Sequence, residues 1–120
     1  MKGKHYLIDL YNCNPVKMND PIFIEKLLTD ASEVARSTLL DLKLHLFEPQ
    51  GITGFALLAQ SHISIHTWPE NGYTAVDIYT CGKDTNPLEA AKFIVKELEA
   101  EKHLTKNFDR YTPECFVNTI

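Results

Sequence analysis

Long apolar runs are missing from this 120-residue chain, and none approaches the ~20 consecutive residues that a membrane-spanning helix needs. Basic runs are missing too. Lysine and arginine number 12 against 16 aspartates and glutamates, a net charge of −4. Neither nucleic acid nor an anionic membrane surface is expected as a partner. Cysteine is scarce: Cys13, Cys81 and Cys115 are odd in number and form no CxxC pair. A disulfide framework or a cysteine zinc site is not expected, so each is read as a free thiol. The basic start, Met1-Lys2-Gly3-Lys4-His5, runs into an alternating segment that contains Asp9. That is a strand pattern rather than the core of a signal peptide, and the expected location is the cytoplasm. Repeats, linkers and low-complexity segments are absent, so residues 1–120 are expected to form one domain. Such a domain has little depth, and a site that excludes water is easier to build between two copies of it.

Residues 5–13 are rich in β-formers and read as a strand that Asn14-Pro15 breaks. Asp20-Pro21 is an N-cap followed by proline at the first helical position. Ile24, Leu27, Leu28, Ala31, Val34, Ala35 and Thr38 then recur at helical spacing. Residues 39–47 alternate Leu40, Leu42, Leu44 and Leu46 against Asp41, Lys43, His45 and Phe47, the pattern of a half-buried strand. Pro49-Gln50-Gly51 is a turn, and residues 52–60 read as a more apolar strand. Asn86-Pro87 repeats the cap signature ahead of Leu88, Ala91, Ile94, Val95 and Leu98, a second helix. Residues 103–120 read as irregular or as a short edge strand. The order β-α-β-β-β-β-α predicts an α+β sandwich, an antiparallel sheet with helices packed on one face. The other face is free to carry a site or meet a partner.

Between residues 60 and 82 the chain concentrates serine, histidine, tryptophan, carboxylate and cysteine. The segment reads as one hairpin, residues 62–68 and 73–80, joined around Pro69-Glu70-Asn71-Gly72. A two-residue Asn71-Gly72 loop places Cys81 across from His62; a loop two residues longer places it across from Gln60. Either register brings Cys81 beside Ser61 at the open end of the hairpin. His66 is five residues from Ser61. That is roughly 16 Å along an extended strand, and on the opposite face. Cooperation between Ser61 and His66 therefore calls for two chains and an isologous two-fold dimer with shared sites.

The core Ser61-His62-Ile63-Ser64-Ile65-His66-Thr67-Trp68-Pro69-Glu70, the arm Gly72-Tyr73-Thr74-Ala75-Val76-Asp77-Ile78-Tyr79-Thr80-Cys81-Gly82, the Gly51-Ile52-Thr53-Gly54 strand start and the helix after Asn86-Pro87 resemble the small prokaryotic S-adenosylmethionine decarboxylases. The resemblance spans residues 5 to about 100. It implies autocatalytic serinolysis at Gln60-Ser61. Ser61 attacks the carbonyl of Gln60, the ester is lost by β-elimination, and hydrolysis leaves a pyruvoyl group and ammonia. The products are a β chain (1–60) and an α chain (61–120). The pyruvoyl cofactor derived from Ser61 forms a Schiff base with the substrate amine and acts as electron sink, with no metal. The resemblance also assigns roles. His66 handles the proton in processing, Thr53 holds the ester, and Cys81 reprotonates the decarboxylated carbon. Phe47 stacks on adenine near the sulfonium, and Glu70 binds the ribose. Trp68 is read as site-wall packing with ligand contact. Ser61 and Cys81 are expected from one protomer of a homodimer, and Thr53, His66, Phe47 and Glu70 from the other. The implied reaction converts S-adenosylmethionine to its decarboxylated, aminopropyl-donating form and carbon dioxide, for spermidine synthesis.

One position departs from the family: glutamate usually precedes the serine, and here Gln60 does. Loss of that charge leaves arginine or ornithine as alternative substrates on the same scaffold. Retention of Phe47, Trp68 and Glu70 favours the nucleoside. Two further readings stand beside these: an uncleaved, non-catalytic regulatory homologue, and a thiol enzyme built on Cys81 and a histidine. Taken singly, each residue has an ordinary reading. Cys81 alone is a small buried hydrophobe, as Cys13 and Cys115 are taken to be. His62 has no assigned role. Asp77 either pairs with His66 or faces solvent. His5, His45 and His103 are scattered and suggest no metal constellation.

Overall fold

A computed structural model of the chain describes residues 2–111. Its elements are β1 (Lys2–Tyr11), α1 (Pro15–Met18), α2 (Pro21–Val34), β2 (Leu39–Leu46), β3 (Ile52–Leu58), β4 (Ser61–Trp68), β5 (Tyr73–Cys81), α3 (Pro87–Glu97) and β6 (Lys102–Tyr111). The six strands form one sheet in the order β2-β3-β4-β5-β1-β6. Every neighbouring pair is antiparallel. The fold is the expected α+β layer arrangement.

Three Asx-Pro pairs start the three helices. Asn14 accepts hydrogen bonds from the backbone of Val16 and Lys17, Asp20 from Ile22 and Phe23, and Asn86 from Glu89. Each fills amide donors that the first helical turn leaves free. The first of these pairs does more than break β1: it caps the single turn α1. Helix α2 stops at Val34, short of Thr38, because Arg36 takes a left-handed φ of 58°. In α3 the inward face is Ala90, Ala91 and Ile94, continued by Leu98, whereas Leu88 is 42% exposed.

The core lies between the helices and one sheet face. Ile24, Leu27 and Leu28 of α2 and Ala90, Ala91 and Ile94 of α3 share one buried cluster with Ile52 and Ala56 of β3, Ile63 and Ile65 of β4, Val76 and Ile78 of β5, and Ile8 and Leu10 of β1. Helix α2 packs on β2 and β3, and α3 on β1 and β5. Each fully buried side chain of this size contributes about 1.5–3 kcal/mol. Gly54 is needed where α2 presses closest to the sheet. A Cβ there would stand 2.9 Å from Leu28 Cδ1, Leu44 Cδ2 and Ile65 Cγ2.

Two strand readings need correction. The leucine alternation of β2 is interrupted by a register shift between Leu39 and Asp41. Leu39, Leu42 and Leu44 pack on the core, while Leu40 and Leu46 are exposed. The segment after α3 is a ten-residue strand paired with β1 along its whole length. Every residue of β6 is exposed, so no buried face imposes the alternation by which a strand is recognised. Lys102, Lys106, Asp109 and Arg110 supply the edge charges that discourage pairing with another chain. Cys115 and the rest of residues 112–120 lie outside the described residues.

Candidate active site

Strand β3 ends at Leu58 rather than running to residue 60, and Leu58 pairs with Ser61. Ala59-Gln60 is therefore a two-residue hairpin turn. Gln60 sits in it with φ of 62° while Ala59 keeps a negative φ. Two-residue hairpins usually draw their positive φ from glycine, asparagine or aspartate. This one imposes it on a glutamine immediately before Ser61, a sterically costly conformation for a residue with a Cβ.

The β4–β5 loop takes the longer of the two registers. Pro69–Asn71 form a 3-10 turn, Gly72 follows at φ 63°, and Trp68 pairs with Tyr73. Continuing that register places Cys81 across from Gln60. The Cys81 amide donates to Ser61 Oγ over 3.3 Å. Ser61 is only 8% exposed. The Cys81 thiol donates in turn to the Tyr79 hydroxyl at 3.2 Å. Gln60, Ser61 and Cys81 thus form one group at the open end of the hairpin.

The other candidate residues assemble elsewhere. Phe47, Thr53, His66, Trp68 and Glu70 line one pocket of about 450 Å³ around Gly51 and the Glu48–Gln50 loop. Thr53 and His66 are cross-strand partners, and Thr53 Oγ1 lies 3.1 Å from His66 Nδ1. Phe47 stands edge-on to His45, with ring centroids 4.6 Å apart. Trp68 stacks on Tyr73 at 5.2 Å. Tyr73 is fixed by donating to Asp9 Oδ1 at 2.6 Å. That bond, followed by burial, pushes the Tyr73 hydroxyl up to about 12. The pocket lining combines the aromatic rings of Phe47 and Trp68, the Glu70 carboxylate and the Thr53–His66 hydroxyl–imidazole pair. Such a lining suits a flat, cationic, hydroxyl-bearing ligand. It lies at the far end of β4 from Ser61.

Asp77 pairs with neither His66 nor solvent alone. It accepts from His62 Nε2 at 2.9 Å, from Ser64 Oγ at 3.3 Å, and from His5 Nε2. Burial works to raise this carboxyl, but the bonds from His62 and His5 prevail and hold it below its ordinary value. The histidines that are scattered in the sequence therefore do meet in part, because β1 lies beside β5. Nothing local signals this: His5 and Asp77 are 72 residues apart. Among the described residues Cys13 and Cys81 are free thiols. Burial pushes the Cys13 thiol up, the behaviour of an unreactive core cysteine.

The S-adenosylmethionine decarboxylase family profile matches residues 4–111 of this chain. The chain belongs to that family. It is 50% identical over 120 residues to the S-adenosylmethionine decarboxylase proenzyme of Prochlorococcus marinus strain MIT 9313, covering all of this chain and 96% of the relative. It is 47% identical over 100 residues to the proenzyme of the same name from Methanococcus maripaludis strain C7, covering 83% of this chain and 82% of the relative. The crystal structure of the adenosylmethionine decarboxylase from Aquifex aeolicus superposes with a TM-score of 0.86 at 37% identity, covering 98% of this chain and 97% of that one. Membership gives the two separated clusters a context.

Proposed function

We propose that this chain is a self-processing, pyruvoyl-dependent decarboxylase of S-adenosylmethionine, one domain cleaved between Gln60 and Ser61 into chains 1–60 and 61–120. The observation that carries this reading is the Gln60–Ser61 turn. A strained peptide precedes a buried serine whose Oγ is already held by the Cys81 amide. In serinolysis Oγ becomes the ester oxygen, and on β-elimination it departs within the carboxylate of residue 60. An N–H aimed at that atom stabilises the charge it acquires. These residues fit a pyruvoyl group formed at position 61. The name proenzyme, borne by the relatives, agrees with this. When formed, the pyruvoyl carbonyl supplies the electron sink for loss of carbon dioxide.

The remaining steps belong to the side chains. Cys81, adjacent to position 61, donates the proton that replaces the carboxylate on the substrate. Thr53 and His66 act on the ester through their shared hydrogen bond, with His66 moving the proton. Phe47 and Trp68 hold the adenine and the sulfonium, and Glu70 accepts from the ribose hydroxyls. Because these five line a pocket remote from Ser61, the complete centre joins the Ser61–Cys81 end of one protomer to the pocket of its partner. The open sheet face supports such a homodimer. There Leu7, Phe55, Leu57, Leu104 and Phe108 are 41–64% exposed, a density of apolar area that marks an interaction surface.

Denaturing intact-mass spectrometry tests the processing. Two fragments meeting at position 61 are expected, the C-terminal one lacking ammonia relative to a serine-started chain. Supplying carboxyl-labelled S-adenosylmethionine, arginine and ornithine tests the substrate. Label released only from arginine or ornithine would mean that Gln60 has changed the specificity. A single intact species with no release would leave the regulatory-homologue reading in possession.

A further inference from the structure

The Cys81 thiol is held by a neighbour from its own strand. Its Sγ donates to Tyr79 Oη at 3.2 Å. The phenol reaches that position by lying over β1 at Gly3, the residue paired with Cys81. A Cβ on Gly3 would stand 2.8 Å from both Tyr79 Cε1 and Tyr79 Oη. Only glycine leaves this space.

The ring is fixed from both sides. His5 on β1 and His62 on β4 are both cross-strand partners of Tyr79. Their ring centroids lie 5.4 Å and 5.9 Å from that of Tyr79. The Arg110 guanidinium sits over the same ring at 5.8 Å. Both imidazoles donate to Asp77, which anchors the pair.

The ligand atoms of His5, His62 and Asp77 lie within 4.8 Å of one another, and two histidines with a carboxylate is also a metal-binding composition. Arg110 decides between the two readings. Its Nη1 is 2.9 Å from His5 Nδ1. A guanidinium can only donate, so Nδ1 accepts and the imidazole proton resides on Nε2, directed at Asp77. A protonated Nε2 has no lone pair for a metal. The cluster is a clamp.

We propose that Tyr79 is a positioning residue for the Cys81 thiol, seated by Gly3 and clamped by His5, His62 and Arg110. This rests on the reading of Cys81 as the proton donor. The phenol holds Sγ in place before transfer, and the contact breaks as the single S–H proton turns to the substrate carbon. After Sγ–H has given its proton to the substrate carbon, the Tyr79 O–H turns to donate to the thiolate. Water then returns a proton to Sγ, and Tyr79 ends with the proton it began with. The hydrogen bond with Cys81, followed by burial, holds the Tyr79 hydroxyl above its ordinary 10.0, so the phenol is neutral in both roles.

The test compares the parent with Tyr79→Phe and Gly3→Ala. The first removes the hydroxyl; the second displaces it. Both variants are expected to yield the same two fragments by mass and to leave KM little changed. Each should lower kcat by about tenfold or more, a fraction of the roughly 10²–10⁴-fold that a positioned general acid contributes. The infrared S–H stretch of Cys81, isolated by subtracting the Cys81→Ser spectrum, should move to higher frequency in both as the hydrogen bond is lost. Parent-like kcat in Tyr79→Phe overturns the proposal. So does a lowered kcat with an unmoved S–H band, which would mark a merely structural role. A parent that does not decarboxylate S-adenosylmethionine fails the proposed function instead, and the S–H band then reports on the Tyr79 contact alone.

Discussion

Ser61 and His66 share strand β4 but not a face of it. Ser61 lies in the buried series with Ile63 and Ile65, and His66 in the open series with His62, Ser64 and Trp68. No side-chain rotation brings them together within one chain, since five residues of extended strand span roughly 16 Å. If processing needs both, they come from two protomers. Co-expression of Ser61→Ala and His66→Ala chains then has a defined outcome. A mixed dimer contains one centre with both residues intact and one with neither. Cleavage of the His66→Ala chain, the one that keeps Ser61, is expected in the mixed dimer, visible by mass. Absence of any cleavage would place both residues in one protomer's site and sink the shared centre.

The Gln60 conformation gives a second prediction. A left-handed φ costs a residue with a Cβ roughly 1–2 kcal/mol. If that strain is released as the Gln60 carbonyl moves to Ser61 Oγ, it lowers the barrier to cleavage. Gln60→Gly removes the strain beforehand and should slow cleavage by up to about tenfold, on the scale of about 1.4 kcal/mol per decade. A time course of the fragments measures it. An unchanged rate would mean that the strain serves the hairpin and not the chemistry.

How much of this was legible beforehand depends on which residues carried the signal. Asn71-Gly72 marks the β4–β5 hairpin, and Asp20-Pro21 and Asn86-Pro87 mark the starts of α2 and α3, because those residues favour such conformations locally. Asn14-Pro15 reads only as a strand break, and the single turn α1 that it caps is not signalled. The Ala59-Gln60 turn was invisible, since neither residue prefers a turn and the positive φ is imposed by the pairing of Leu58 with Ser61. Strand β6 was nearly invisible because, exposed on both faces, it needs no apolar alternation. The clamp around Tyr79 depends on β1 inserting between β5 and β6, a long-range choice no local pattern announces. Only the family resemblance points to the pocket residues; spacing alone separates His66 from Ser61.

Gly54 allows a stability prediction. Its hydrogen faces Leu28, Leu44 and Ile65, each 2.9 Å from where a Cβ would stand. Gly54→Ala must push α2 and β2 away from β3, an overpacking that costs about 1–3 kcal/mol. Thr53, the neighbour of Gly54 and partner of His66, shifts with it, so slower cleavage should accompany the lower urea midpoint. A variant of parental stability would mean that the helix yields freely there.

Asp77 provides the test by pH. Burial opposes its ionisation, but the bonds from His62 and His5 outweigh this and hold the folded-state value below the ordinary 3.8. A carboxyl depressed by folding adds stability above its unfolded value, and that stability is lost as pH falls through the folded one. The advantage of the parent over Asp77→Asn should therefore be present above 3.8 and shrink as pH falls below it. The difference between the two proteins isolates this group from the other carboxyls, which titrate in both. Urea midpoints at about pH 6 and about pH 3 measure it. A gap that stays constant, or widens in acid, would mean that His5 and His62 do not hold the Asp77 carboxylate in solution. The fixed ring of Tyr79 would then lose its anchor.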